Sequence, residues 1–148
     1  MSVRRDDPYL DFNYLVDLGT GEPAGPAAGF SEVVVPSISI DVVEYRSGNE
    51  RENSVRKLPG LQRVSNAVLK RGIIGDLGLY QWIREIANGQ FDRRTVTITL
   101  LNESRDPVMA WRLIQAWPCK LIGPTLRAGT SEVAIETLEL CCRGVEIE

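Results

Sequence analysis

The sequence contains no histidine. That absence removes the usual general base near neutral pH, the Ser-His and Cys-His nucleophile pairs, and the commonest metal ligand. Cysteine is scarce, with three in the chain, Cys119, Cys141 and Cys142. An odd count without a secretory leader does not make a disulfide framework. Neighbours in a strand project to opposite faces, so one metal ion does not easily take both Cys141 and Cys142. The thiols are expected to be buried and inert. No apolar run approaches the roughly 18 residues that span a bilayer. Met1 to Pro8 carries basic residues but no apolar stretch follows it, so synthesis in the cytoplasm without a membrane anchor is expected. There is no GxxxxGK[ST] phosphate loop, and Gly19-Thr20-Gly21 runs into a proline-containing linker rather than a helix.

What is present fits one domain, residues 1–148. Of 148 residues, 43% are hydrophobic and 25% charged, enough apolar material for a core and too little charge for a disordered chain. The net charge of -3 argues against a dedicated nucleic-acid binder, which is usually basic.

Hydrophobic periodicity is mostly of period two. Leu10 to Leu18 alternates as a first strand, and Gly19 to Gly29 is a Gly/Pro/Ala loop. From Phe30 to Tyr45, Ile38, Ile40 and Val42 alternate with polar residues. Pro36 predicts a break, and the phase shift at Val42-Val43 predicts a bulge. Arg46 to Gly60 is polar, ends in Pro-Gly and reads as a long loop, a length usually kept for a function. Leu61 to Ile74 returns to a strand pattern. Leu79, Trp82, Ile83 and Ile86 then predict an amphipathic helix over about 77–88, with Asp76 as N-cap and Asn88-Gly89 as its stop. Arg94 to Leu101 and Val108 to Trp117 read as a hairpin around the turn at 102–107. A short segment follows at 120–123, and a long strand over 132–147. The expected class is mainly β: an antiparallel β-barrel or sandwich with one flanking α-helix.

Residues that bear chemistry are few. Glu132, Glu136 and Glu139 recur along the last strand without a cleft partner and read as a solvated or interface edge. Trp82, Trp111 and Trp117 read as core, the last two on one strand face. Arg56-Lys57 and Lys70-Arg71 are basic pairs, each read as ordinary surface charge or, functionally, as an anion site or an intersubunit salt bridge. No cofactor and no enzymatic activity are expected.

Whole segments carry a resemblance. They are Asp7-Pro8-Tyr9 with Phe12, the run from Gly29 to Val33, Glu44-Tyr45-Arg46 and the run from Asn53 to Leu61. They continue with Leu69-Lys70-Arg71-Gly72-Ile73, Trp82-Ile83, Ala116-Trp117-Pro118 with Lys120, Gly123-Pro124, and the run from Val133 to Leu140. In this order the chain resembles the tail tube family of contractile bacteriophages and phage-tail-like injection systems. Cys119 and Cys141-Cys142 depart from the pattern. The resemblance implies a self-assembling subunit of stacked six-fold rings forming a conduit. Its implied partners are further copies of itself, a contractile sheath, a baseplate or tube initiator, a terminal cap, and cargo in the lumen. Candidate intersubunit contacts are Arg46, Arg51, Asn53, Arg56, Lys57, Leu58, Lys70 and Arg71. The competing readings are a tube-initiating or terminal paralogue and a monomeric ligand-binding barrel.

Overall fold

The computed structural model describes residues 2–20 and 29–148. The expected Gly/Pro/Ala loop lies largely outside them. Nine strands and one helix order the described residues: β1 (Tyr14–Asp17), β2 (Glu32–Val34), β3 (Ile38–Tyr45), β4 (Arg56–Val64), β5 (Ala67–Gly72), α1 (Gly78–Ala87), β6 (Arg94–Leu101), β7 (Pro107–Ile122), β8 (Ile135–Cys141) and β9 (Gly144–Ile147). Every pairing among them is antiparallel. The body is a ladder in the order β1-β6-β7-β8-β5-β2, with β9 also on β7.

β7 makes this ladder curl. Its first part pairs with β6 and β9, and its last part, from Trp117, pairs with β8. Between them Gln115 takes a positive φ of 51°, where the register to β6 slips between Arg94 and Val96. A bulged strand bends and twists more strongly. The bulge also changes which residues face inward: Leu113 is buried, and after Gln115 the buried residues are Ala116 and Pro118. Trp117 is therefore out of phase with Leu113. The expected single apolar face from Met109 to Trp117 does not exist, although Trp111 does pack against the core. The strand also continues through Pro118 to Ile122 rather than stopping at Trp117. Proline is tolerated there because the register to β8 slips between Pro118 and Lys120.

The core is one cluster. Val16, Val96, Ile98, Leu113, Leu138, Leu140, Ala67 and Leu69 meet Leu79 and Trp82 of the helix. The α1 helix packs on β7. Leu77 occupies the N-cap position without a side-chain cap, and Asp76 instead accepts the Gly78 N–H at 2.8 Å. At the other end, Gly89 at φ 90° allows its own N–H to reach the Ile86 carbonyl and that of Gln90 to reach the Glu85 carbonyl. This is the glycine-ended closure that Asn88-Gly89 predicts.

Other boundaries differ from the sequence pattern. The first strand is shorter than 10–18. The pattern over 61–74 is split at Ser65-Asn66, and that over 132–147 at Cys142-Arg143. Arg56 to Gly60 is strand rather than loop, so the long loop shrinks to residues 46–55. The cause is cross-strand pairing: Tyr45 sits opposite Arg56, Val43 opposite Leu58 and Val42 opposite Pro59. β8 lies between β7 and β5, so Glu136 and Glu139 are not on a sheet edge.

Candidate functional site

Among the described residues, no group of three or more Asp, Glu or Cys side chains is arranged to hold a metal ion. No helix among them is long and apolar enough to cross a membrane. The conspicuous feature is instead the β3–β4 hairpin. These strands form their own two-stranded sheet, and neither packs substantially on another described element. Ile38, Ile40, Val42, Val43, Tyr45, Leu58 and Leu61 are all exposed on it, Leu61 at 73%. A hairpin of two strands is marginal in water, and an apolar unpaired edge attracts another chain. This arm therefore has the chemistry of an assembly surface.

The arm is fastened at both ends. At its base Ser37 N–H donates to Ser65 Oγ at 2.8 Å, and Ser65 N–H returns to the Ser37 carbonyl at 3.0 Å. Buried Pro36 marks the break from β2. Midway, the register slips between Ile40 and Val42, and Gly60 lies against the slip. A Cβ on Gly60 would stand 3.1 Å from the Asp41 carbonyl oxygen and 3.1 Å from Val43 Cγ2. The Arg63 guanidinium pairs with Asp41 at 2.8 Å beside it. At the tip, Arg46 donates to the carbonyls of Glu52 at 3.0 Å and Glu50 at 2.9 Å, and Arg56 pairs with Glu50 at 2.9 Å. The loop is thus folded onto itself by its own arginines.

The candidate contact residues divide accordingly. Arg46, Arg51, Asn53, Arg56, Lys57 and Leu58 all lie on the exposed arm. Arg46 and Arg56 hold the tip, and Lys57 stands opposite Glu44 across the ladder. Lys70 lies on the body and pairs with Glu32 at 3.0 Å. Arg71 does not belong with them. It is 1% exposed, bonded to Glu136, with Asp76 Oδ2 at 3.8 Å and the Phe30 ring at 6.0 Å. Ala67, Leu69 and Arg71 are the inward residues of β5, so Lys70 and Arg71 face opposite ways. The alternation was available in the sequence. Treating the two cations as one pair hid it.

Sequence reasoning also missed the N-terminal segment. Arg5 holds Glu103 through both carboxylate oxygens at 2.7 and 2.8 Å, donates to the Asp7 and Pro8 carbonyls, and lies 4.0 Å from the Tyr9 ring centre. Hydrogen bonding from Arg5 brings the Glu103 carboxyl down from 4.5 to about 2. Val3 N–H reaches the Val108 carbonyl at 2.8 Å, which anchors the segment across the β6–β7 turn.

An antiparallel, curled β ladder with one packed helix and a projecting apolar arm fits a protein that assembles with other chains. Residues 10–146 match the model of the T4-like virus tail tube protein gp19 family, and the chain belongs to that family. It is similar to a chain in the cryo-EM structure of the PVC sheath-tube complex of an extracellular contractile injection system in the extended state. The identity there is 27% over 95% of this chain and 91% of that one, with a TM-score of 0.82. It is similar to a chain in the 6-fold symmetrised baseplate of the anti-feeding prophage, at 27% identity over 97% of each chain and a TM-score of 0.84. A chain in the tube-terminating cap of the same prophage matches at 26% identity over 100% of this chain and 95% of that one, also at 0.84. A comparison with curated protein sequences finds no match. The chain is a tail tube protein of the kind found in contractile injection systems.

Proposed function

We propose that this chain is the main tube subunit of a contractile particle, closing six-fold rings that stack into a conduit, and that it catalyses no reaction. The observation that carries this reading is the β3–β4 arm, a long apolar hairpin without a substantial packing partner among the described elements of its own subunit. A heterologous contact of this kind closes a ring when the rotation fits and builds a filament by stacking. The similar anti-feeding prophage baseplate is 6-fold symmetrised, which supports the same symmetry here. Arg51, Asn53, Lys57 and Leu58 on the arm are the contacts to a neighbouring copy, with Arg46 and Arg56 shaping its tip. Lys70 contributes from the body.

The further partners are a sheath around the tube, a baseplate or initiator at one end, a cap at the other, and cargo in the lumen. The similarity to a sheath-tube complex supports the first. The particle is either a phage tail or an extracellular injection device, assembled from subunits made in the cytoplasm. A second reading, a terminal paralogue, draws on the matching chain of the tube-terminating cap.

The test is negative-stain imaging and light scattering of the purified chain over a range of concentrations. Rings or tubes without any cofactor are the expected result. A stable monomer at high concentration, with and without a preformed baseplate as template, overturns the reading.

A further inference from the structure

Two of the three cysteines converge where β7 meets β8. Trp117 pairs with Cys141, Pro118 with Leu140 and Lys120 with Glu139, so Cys119 is the extra residue of a bulge and has no pairing partner of its own. One carboxamide touches both thiols: Asn66 Nδ2 donates to Cys119 Sγ at 3.6 Å, and Cys141 Sγ donates to Asn66 Oδ1 at 3.4 Å. Cys119 Sγ also donates to the Glu139 carbonyl at 3.5 Å. Cys142 is separate. It follows the end of β8 and packs against the hydrophobic core. Both members of the pair are partly exposed, so a small oxidant has access to them.

We infer that Cys119 and Cys141 form a cross-strand redox pair that closes to an intrasubunit disulfide with a low-molecular-weight disulfide as oxidant. The register sets Cys141 opposite Trp117, so Cys119 is its diagonal neighbour across the β7–β8 ladder. The Asn66 carboxamide contacts both thiols, and closure needs a small backbone movement at the bulge to bring the two Cα atoms within the roughly 4.4–6.8 Å span of disulfides. Burial first, and the Cys141 thiol at hydrogen-bond range second, push the Cys119 thiol up to about 12. The high value makes Cys119 a slow attacking group at neutral pH, because the thiolate is the attacking species.

The exchange balances. One protein thiolate attacks the small disulfide, forms a mixed disulfide and expels one small thiolate. The second protein thiolate attacks the mixed disulfide at the protein sulfur and expels the other. The protein loses two electrons, the oxidant gains them, and the two thiol protons end on the two small thiols. The new bond joins the last part of β7 to the end of β8. It closes the segment between them, including the exposed residues 125–133.

The test treats the full purified chain with oxidised glutathione and, separately, with dithiothreitol. Titratable thiols are expected to fall from three to one. The mass of the chain should drop by about two hydrogens, and a linked peptide should contain Cys119 and Cys141. The thermal midpoint of the oxidised form should rise by about 5–10 °C over the reduced form. Cys142→Ser keeps all of these changes, while Cys119→Ser and Cys141→Ser abolish them. If either of the last two variants fails to fold, the comparison of oxidised and reduced Cys142→Ser decides alone. Three titratable thiols after oxidation, a persistent glutathione adduct, a link through Cys142 or a link between subunits each overturn the inference.

Discussion

The indole of Trp82 is held on several sides. The residue is 1% exposed, its Nε1–H donates to the Asp92 carbonyl at 2.8 Å, and the Arg94 guanidinium lies 4.3 Å from the ring centre. Trp82→Ala is expected to cost about 3–5 kcal/mol in a urea titration, since the cavity cannot refill. Loss near zero would show that the helix does not depend on this contact. Arg71 makes the opposite point, because a buried cation is a risk that only its partners remove. Arg71→Ala leaves Glu136 partly buried and uncompensated, for an expected loss of about 3–5 kcal/mol. The double change Arg71→Met with Glu136→Leu should recover most of it, as apolar replacements of buried pairs often do. Equal losses in the single and double variants would mean that shape, not charge, decides the site. At Glu103 the carboxyl is brought from 4.5 to about 2 by Arg5, so its contribution is complete above pH 4.5 and is lost as pH falls toward 2. The Tyr9 ring resonances should shift over that window, reporting release of the N-terminal segment, and Glu103→Gln should show the released spectrum at neutral pH. An unchanged Tyr9 signal in Glu103→Gln would remove the assignment.

At the level of the elements, period-two alternation made β3 and β6 readable and marked the regions of β5 and β8 as strand without their inward faces, and the helix followed from Leu79, Trp82, Ile83 and Ile86. The bulge expected at Val42-Val43 falls earlier, between Ile40 and Val42, whereas the break at Pro36 lay in the pattern. Three features did not. Gln115 adopts φ 51° because β7 must leave one set of neighbours for another, a demand of topology that no local residue announces. Arg56 to Gly60 is polar and ends in Pro-Gly, yet pairing with β3 outweighs its weak strand propensity. Arg5 and Glu103 are joined across the sequence, and no spacing rule links them. As for the candidate contacts, the arm was legible as a segment, while the division of labour along it needed the pairing. That division makes a prediction. Replacing Arg51, Lys57 and Leu58 with Ala should weaken assembly and leave the thermal unfolding of the isolated subunit within about 1 kcal/mol, because all three are exposed. Gly60→Val should also weaken assembly, by deforming the arm at the slip. Sedimentation of tubes set against circular dichroism of the subunit separates the two effects. Normal tubes from the triple variant would place the contact elsewhere.

For the whole molecule, the body and the arm differ in how they are stabilised. The body buries one contiguous core, whereas the arm leaves Ile40, Val42 and Leu61 exposed at 58%, 63% and 73%. The folded subunit therefore has more apolar surface to bury than its own chain supplies, and a second copy is the partner that the proposed rings provide. A partner that binds only the folded form stabilises it by mass action, so the stability of an assembling subunit depends on its concentration. Above the assembly constant, each tenfold rise in protein should add about 1.4 kcal/mol per binding step, equivalent to roughly 3–5 °C in the thermal midpoint of a chain this size. Calorimetry of the parent chain across two such steps is the measurement. The midpoint should climb with concentration in the parent and stay flat in the variant carrying Arg51, Lys57 and Leu58 changed to Ala. A monomeric ligand-binding barrel would give a flat midpoint for both proteins, and that result would leave the apolar arm without the role assigned to it.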